Sequence, residues 1–327
     1  MIVHLLSNIF THPAFWWTVG GLLFSGVVLW IVSYFVASHL VYVKTLKRNS
    51  KDQWGRDFPS DLNERSVKMY QTGLEWAEQN KQHKIDVHIV NEGLNLYGEY
   101  YDFGHDRCVF VLSGRTEALK YGYYFAIPYA KLGFNVLVVD PRGHGMSDGQ
   151  YNTIGFEESK DQIAWIRHLH ENFGIKSVVL HGICIGSAGG MYALTSGNCP
   201  PIVKGIVAEG MFATFYESMK NHLIEKKKPV FIMIDLIDAQ MKKYTGHTMK
   251  YGPINVIDKL DTPLLMLHSK KDQYSKADLA QVLFDKAGCQ QKDIVWFPEG
   301  DHSMLRITDT ERYDKGIENF VNKIYNQ

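Results

Sequence analysis

Three residues, in one order along the chain, have the side chains that acyl-group chemistry needs: a thiol at Cys184, a carboxylate at Asp272 and an imidazole at His302. Cys184 stands in Gly182-Ile183-Cys184-Ile185-Gly186. A short apolar run, Ser177 to Leu180, precedes it, and a Gly- and Ala-rich run follows through Met191, Tyr192, Ala193 and Leu194. The pattern is G-x-S-x-G with Cys in place of Ser. It marks a sharp strand-to-helix turn that holds a nucleophile in constrained backbone geometry. A thiol there would lie at a helix N-terminus, where the positive end of the helix dipole favours a thiolate. The plain alternative is a buried Cys in an ordinary turn, because free Cys is among the most buried residue types.

A nucleophile needs a base, and the base needs an orienting acid. Asp272 lies in His268-Ser-Lys-Lys-Asp272, just past an apolar run at Leu264 to Leu267. His302 lies in Glu299-Gly-Asp-His302-Ser, just past Ile294-Val-Trp-Phe297. One His among 14 is more often structural. A His after the last strand, an Asp after the preceding one and a nucleophile turn upstream form a far more specific set. Asp301 is the second choice for the acid, since a side chain adjacent to the His on the same loop points away from its ring. A tetrahedral oxyanion also needs backbone donors. Ile185 N–H is one, and Arg115 N–H, in Leu112-Ser-Gly114-Arg115, is the other; Gly114 lets that backbone approach.

Strands and helices must alternate to position these groups. Ile85 to Ile89 and Leu94 to Tyr97 alternate about Asn91-Glu-Gly93, as a hairpin does. Strands follow at Val109–Leu112, Asn135–Val139, Ser177–Leu180, Ile202–Ala208, Leu264–Leu267 and Ile294–Phe297. Between them come a helix at Tyr121–Leu132, disturbed by Pro128 and stopped at Gly133, and a helix with Ile163, Ile166, Leu169 and Phe173 on one face, ended by Gly174. Ser275-x-x-Asp278 caps a helix carrying Leu279, Val282 and Leu283. The final helix shows Tyr313, Ile317, Phe320 and Ile324. Alternating β and α implies a parallel sheet with helices on both faces. Met211 to Asn255 is too long for a simple crossover and reads as an inserted cap, about 211–255. Its apolar run Val230–Ile234 either lines an acyl pocket or packs the cap down.

The N-terminal part differs in kind. Met1 to Val43 contains no Lys, Arg, Asp or Glu, and the apolar run from Phe15 exceeds the roughly 20 residues a spanning helix needs. Trp16 and Trp17 at one end and Tyr42 at the other fit interfacial anchors, and Lys44, Lys47, Arg48 and Lys51 follow. The positive-inside rule then places the rest in the cytoplasm. The expected organisation is a single-pass anchor in the cell membrane at 1–43, a juxtamembrane connector at 44–84 and a domain at 85–327. Lys plus Arg and Asp plus Glu balance at 35 each, so nothing in the net charge draws the chain to nucleic acid. Cys108, Cys184, Cys199 and Cys289 show neither C-x-x-C nor metal-ligand spacing, so free thiols and no metal are expected.

From about Val109 to the C-terminus the chain resembles the α/β-hydrolase superfamily, especially bacterial membrane-anchored hydrolases of the serine-aminopeptidase and monoacylglycerol-lipase-like group. The resemblance rests on Leu132-Gly-Phe-Asn-Val-Leu-Val-Val-Asp140, Arg142-Gly-His-Gly-Met-Ser147, the nucleophile turn, His268 to Asp272 and Gly300-Asp-His302. It implies that Cys184 takes the nucleophile position, Asp272 the acid, His302 the base, and Arg115 and Ile185 the oxyanion donors, with His144 structural. The group has Ser where Cys184 stands and His-Gly where Ser113-Gly114 stands. The implied activity is hydrolysis of an acyl ester, thioester or amide through an acyl-Cys intermediate, without metal or organic cofactor. The substrate would be small and acyl-bearing or lipid-like, with membrane lipid met through the N-terminal helix. An acyltransferase using the same triad and a non-catalytic binding protein of this fold are the rivals.

Overall fold

The structure, a computed structural model, describes residues 12–49, Trp54 and residues 63–326. Lys51 of the basic cluster and the first eleven residues of the expected anchor lie outside them. The first described elements are helix α1 (Pro13–Leu46) and helix α2 (Glu64–Gln79). Strands β1 (Lys84–Asn91), β2 (Leu94–Tyr101) and β3 (Arg107–Leu112) follow, then α3 (Leu119–Lys131), β4 (Asn135–Val139), α4 (Phe156–Phe173), β5 (Ser177–Ile183), α5 (Ile185–Thr195) and β6 (Val203–Glu209). The cap helices α6 (Phe215–Glu225) and α7 (Met233–Thr245) come next. Strand β7 (Leu264–Ser269), α8 (Ala277–Lys286), β8 (Lys292–Phe297) and α9 (Thr310–Tyr325) complete the chain.

The eight strands form one sheet in the order β1-β2-β4-β3-β5-β6-β7-β8. β1 and β2 pair antiparallel, β2 meets β4 antiparallel, and every pairing from β4 to β8 is parallel. The hairpin turn is made by Glu92 and Gly93, both at positive φ (49° and 79°), as the tight two-residue turn requires. The central strands β3, β4 and β5 are buried almost throughout, which is why they read as unbroken apolar runs rather than alternating ones. This is the α/β-hydrolase fold that the motifs led one to expect, and it brings the loops after β3, β5, β6, β7 and β8 to one edge.

Pro128 sits inside α3 without ending it. Proline cannot donate to the carbonyl four residues back. Arg306 Nη1 donates to that carbonyl, Tyr124 O, at 2.9 Å instead, while its other nitrogens grip Asp314 at 2.7 and 2.9 Å. The helix near Asp278 starts differently from expectation. Its N-cap is Lys276, with no side-chain cap bond. Ser275 is buried, and its carbonyl accepts from His268 Nε2 at 2.5 Å.

Within the expected connector, the described residues of α2 pack on the domain. Ser66, Met69, Tyr70 and Gly73 form the buried face of α2, which packs on α3; a Cβ on Gly73 would come within 3.0 Å of Tyr124 N. The C-terminal turns of α1 also belong to the domain. Ser38, Tyr42 and Leu46 are fully buried, and α1 packs there on α7. Tyr42 is therefore a core residue and not an interfacial anchor. α1 is 34 residues long, and its apolar window is free of burial, so it is long and apolar enough to cross a membrane.

Candidate active site

The nucleophile turn is made by what its glycines leave out. A Cβ on Gly182 would lie 2.4 Å from Ser187 N, and one on Gly186 would lie 2.1 Å from Leu112 O. Only hydrogen at both positions lets β5 turn into α5 while α5 packs against the end of β3. Cys184, between them, has φ 52° and ψ −107°, a conformation a non-glycine residue adopts only where its surroundings impose it. Its N–H is tied to Glu209 O at 2.9 Å, and the residue is 8% exposed.

His302 and Asp272 come to Cys184 from the loops after β8 and β7. His302 Nδ1 lies 2.7 Å from Asp272 Oδ2. The other oxygen, Oδ1, accepts from Tyr274 N at 2.9 Å and Ser275 N at 2.8 Å, so the carboxylate is held before it orients the ring. Burial works against the Asp272 charge, but His302 and His268 outweigh it and hold the carboxyl below its usual range. Burial likewise opposes the imidazolium of His302. The Asp272 carboxylate and the Cys184 sulfur, each acting as a charge and as a hydrogen-bond partner, carry it well above the usual imidazole value. Tyr274 stands edge-on to the His302 ring at 5.4 Å and donates to Glu225 Oε2 on α6 at 2.7 Å. A Cβ on Gly210 would meet the same ring at 3.2 Å, and Gly210 has φ 58°. Asp301, the second candidate acid, instead pairs with Arg65 at 2.5 Å on the surface.

Gly114 reaches the nucleophile: its Cβ would be 3.9 Å from Cys184 Cβ. Arg115 follows it in the same wall, and its Nη1 donates to Thr45 O, near the C-terminus of α1, at 3.4 Å. Ile185 is the first residue of α5, whose opening N–H groups have no acceptor within the helix. Cys184, His302, Gly114 and Arg115 border one cavity of about 470 Å³, within the range of small-molecule sites. Its apolar wall comes from Met69, Tyr121, Phe215, Met219 and Met304. Val230–Ile234, one candidate for that wall, does not border it. Met233 and Ile234 are buried in the first turn of α7, Phe231 is exposed, and the cap's contribution comes from α6. His144 is fully buried, stacked on Trp54 at 4.9 Å and bonded to Arg142 O at 3.0 Å, away from this cavity.

Sequence reasoning missed Glu209, at the end of β6. It is fully buried; its Oε2 accepts from Tyr313 O–H at 2.5 Å, and its Oε1 lies 3.3 Å from Leu305 N, three residues past His302. The Tyr313 oxygen also lies 3.0 Å from His181 Nε2, and His181 Nδ1 lies 2.8 Å from Tyr129 O–H. With the proton on His181 Nε2, one donor direction satisfies the whole chain from Tyr129 to Glu209. Burial, with Arg306 adding to it, pushes His181 down to about 3, which keeps it neutral. Burial pushes Glu209 up to about 7. A lone Glu ending an apolar strand was the available signal. Tyr274 and His222 of the cavity carried none.

The profile of the prolyl oligopeptidase family matches residues 122–327, which hold all three residues of the Cys184–His302–Asp272 cluster. The chain belongs to this family. It is similar to YqkD of Bacillus subtilis, 27% identical over 221 residues, covering 66% of this chain and 70% of that one. It is also similar to YisY of the same organism, an AB hydrolase superfamily protein, 22% identical over 269 residues, covering 71% of this chain and 97% of the relative. Among solved structures, a Pyrococcus furiosus esterase superposes with a TM-score of 0.64 at 19% identity, covering 76% of this chain and 94% of that one. An esterase from Exiguobacterium antarcticum does so with 0.56 at 17% identity, covering 73% and 100%. These two likenesses are of fold. Family membership and architecture make this prolyl oligopeptidase relative an α/β hydrolase.

Proposed function

We propose that the protein is a membrane-anchored hydrolase that cleaves an acyl ester, thioester or amide through a covalent acyl-Cys intermediate on Cys184. The observation that carries this reading is the arrangement of Cys184, at a constrained turn, against a His302 ring held by Asp272 at 2.7 Å. His302 takes the thiol proton, and the sulfur attacks the acyl carbonyl. The oxyanion rests on the N–H groups of Ile185 and Arg115. The C–X bond then breaks as His302 returns the proton to the leaving group. In the second half, His302 deprotonates water, hydroxide attacks the thioester, and the acid leaves with Cys184 restored. The mixed wall of the cavity suits a substrate with an apolar acyl part and a polar part near the reacting carbon. The long apolar α1 supports anchoring by a single span, with the domain on the cytoplasmic side.

The test is a screen of chromogenic esters and thioesters of varied chain length, with wild type beside Cys184→Ala. Turnover in the wild type, absent from Cys184→Ala of unchanged circular dichroism, is the expected result. Equal turnover in both removes Cys184 from the mechanism. Transfer to an added alcohol or amine in preference to water would favour an acyltransferase, and no turnover with any acyl donor a binding protein.

A further inference from the structure

The helices α1 and α7 run side by side in the same direction. Gln240 Nε2 donates to Ser38 Oγ at 3.3 Å, and Gln240 Oε1 lies 2.7 Å from His39 Nδ1. One turn further on, Tyr244 stacks on Tyr42 with ring centroids 5.5 Å apart. Both contacts advance together along the two chains, so the helices are parallel, and facing residues are separated by 202 positions. Extended back to the first residue of α7, this register sets Met233 level with Ile31, so the two residues just before it, Phe231 and Ile232, come near the level of Leu29 and Trp30. Those α1 residues belong to the apolar stretch that leaves the domain: Leu29 is 69% and Trp30 53% exposed. The rings of Trp30 and Tyr34 meet at 4.8 Å, and such residues favour the boundary between hydrocarbon and water.

The turn that leads into α7 is built for the same boundary. Phe231 is 77% and Ile232 40% exposed, whereas Met233 and Ile234 directly behind them are buried. Lys226, Lys227 and Lys228, all exposed, precede them. An apolar tip behind a run of three cations complements the hydrocarbon edge and the anionic headgroups of one leaflet. Lys226 also borders the cavity that holds Cys184.

We infer that the cap is a second membrane contact: Phe231 and Ile232 enter the lipid at the level of Trp30, with Lys226 to Lys228 among the headgroups. The cavity mouth beside Lys226 then faces the leaflet, and the enzyme takes substrate from the lipid side. This inference rests on the reading of α1 as a membrane span, and its test separates the two.

The full chain is reconstituted in vesicles of zwitterionic and anionic phospholipid, with a photoreactive benzoylphenylalanine placed in turn at positions 231, 22 and 85. Leu22 is exposed in the middle of the apolar stretch of α1, and Ile85 is exposed on the edge strand β1. After irradiation, mass spectrometry should find lipid adducts at positions 231 and 22 and at least tenfold fewer at position 85. Adducts at 22 with no more at 231 than at 85 overturn the inference and leave the anchor standing. No lipid adduct at 22 removes both. Attachment of position 231 to another protein chain instead of lipid also overturns it.

Discussion

At the scale of single residues, reactivity should divide the four cysteines. Burial pushes the thiols of Cys108, Cys199 and Cys289 up, Cys199 to about 11, and none of them faces an imidazole. Cys184 faces His302, so iodoacetamide near neutral pH should modify it first and by a wide margin, as read by peptide mapping. Asp272→Asn should leave substrate binding in place and slow the chemical step, by about 10⁴ if it behaves like the best-studied triad. Undiminished kcat in that variant would assign the orienting role elsewhere. Glu209 makes a different prediction. Its folded pKa of about 7 lies above the ordinary 4.5, so the fold favours the protonated form. Its contribution to stability is therefore whole below about pH 4.5 and is lost as pH climbs through about 7. Wild-type Tm should fall between pH 5 and 8, and Glu209→Gln, neutral throughout, should flatten that slope. Parallel slopes would show that another group titrates. The three principal candidates were legible because each stands just past an apolar strand, where sequence order fixes which edge of the sheet it reaches. Glu209 and Tyr274 were not, because their roles depend on contacts across 96 and 49 residues of chain, to Leu305 and Glu225.

At the scale of elements, the turn between β5 and α5 is a joint with no room for an added methyl. Gly186→Ala would force a methyl to 2.1 Å from the carbonyl of Leu112. The expected outcome is loss of the folded protein; a soluble Ala variant with normal circular dichroism would mean that β3 and α5 can separate. The cavity wall makes a gentler case. Met219→Ala on α6 should shift preference towards longer acyl chains by deepening the pocket, measured as the ratio of kcat/KM for long and short esters. Met233→Ala on α7 removes a packed side chain and should lower stability by about 2–5 kcal/mol without changing that ratio. The alternation of strands and helices was readable from hydrophobic period alone. Which cap helix turned inward was not: α6 and α7 both carry apolar faces, and α7 spends its own on α1 and the domain. The helix α2 also looked detached, because a polar composition hides a face of only a few buried residues.

At the scale of the whole molecule, the end of α1 decides what can be removed. Tyr42 and Leu46 are fully buried, and at roughly 1.5–3 kcal/mol for each such side chain their loss is comparable with a sizeable part of an ordinary domain's stability. A chain beginning at Lys51 should therefore aggregate or melt well below the full-length protein in detergent. An equally heat-stable, monodisperse truncation would show those turns to be dispensable. The full chain should stay with membranes through a carbonate wash, and protease added to intact cells should spare the domain. Digestion from outside would invert the proposed orientation. Arg48 is a reason to make that measurement, since it is bonded to Gly145 O at 2.7 Å and Ser147 O at 3.1 Å, so its position serves the fold whatever the topology. The unbroken course of α1 has one more consequence. A flexible tether lets a catalytic domain swivel and tumble above a bilayer, sampling water in every direction. A helix that passes without a joint from the apolar stretch into the packing against α7 works as a mast, and the hydrolase turns only when the mast turns. Under the proposed anchoring, its encounters with substrate would be a search in two dimensions, made with one face towards the lipid.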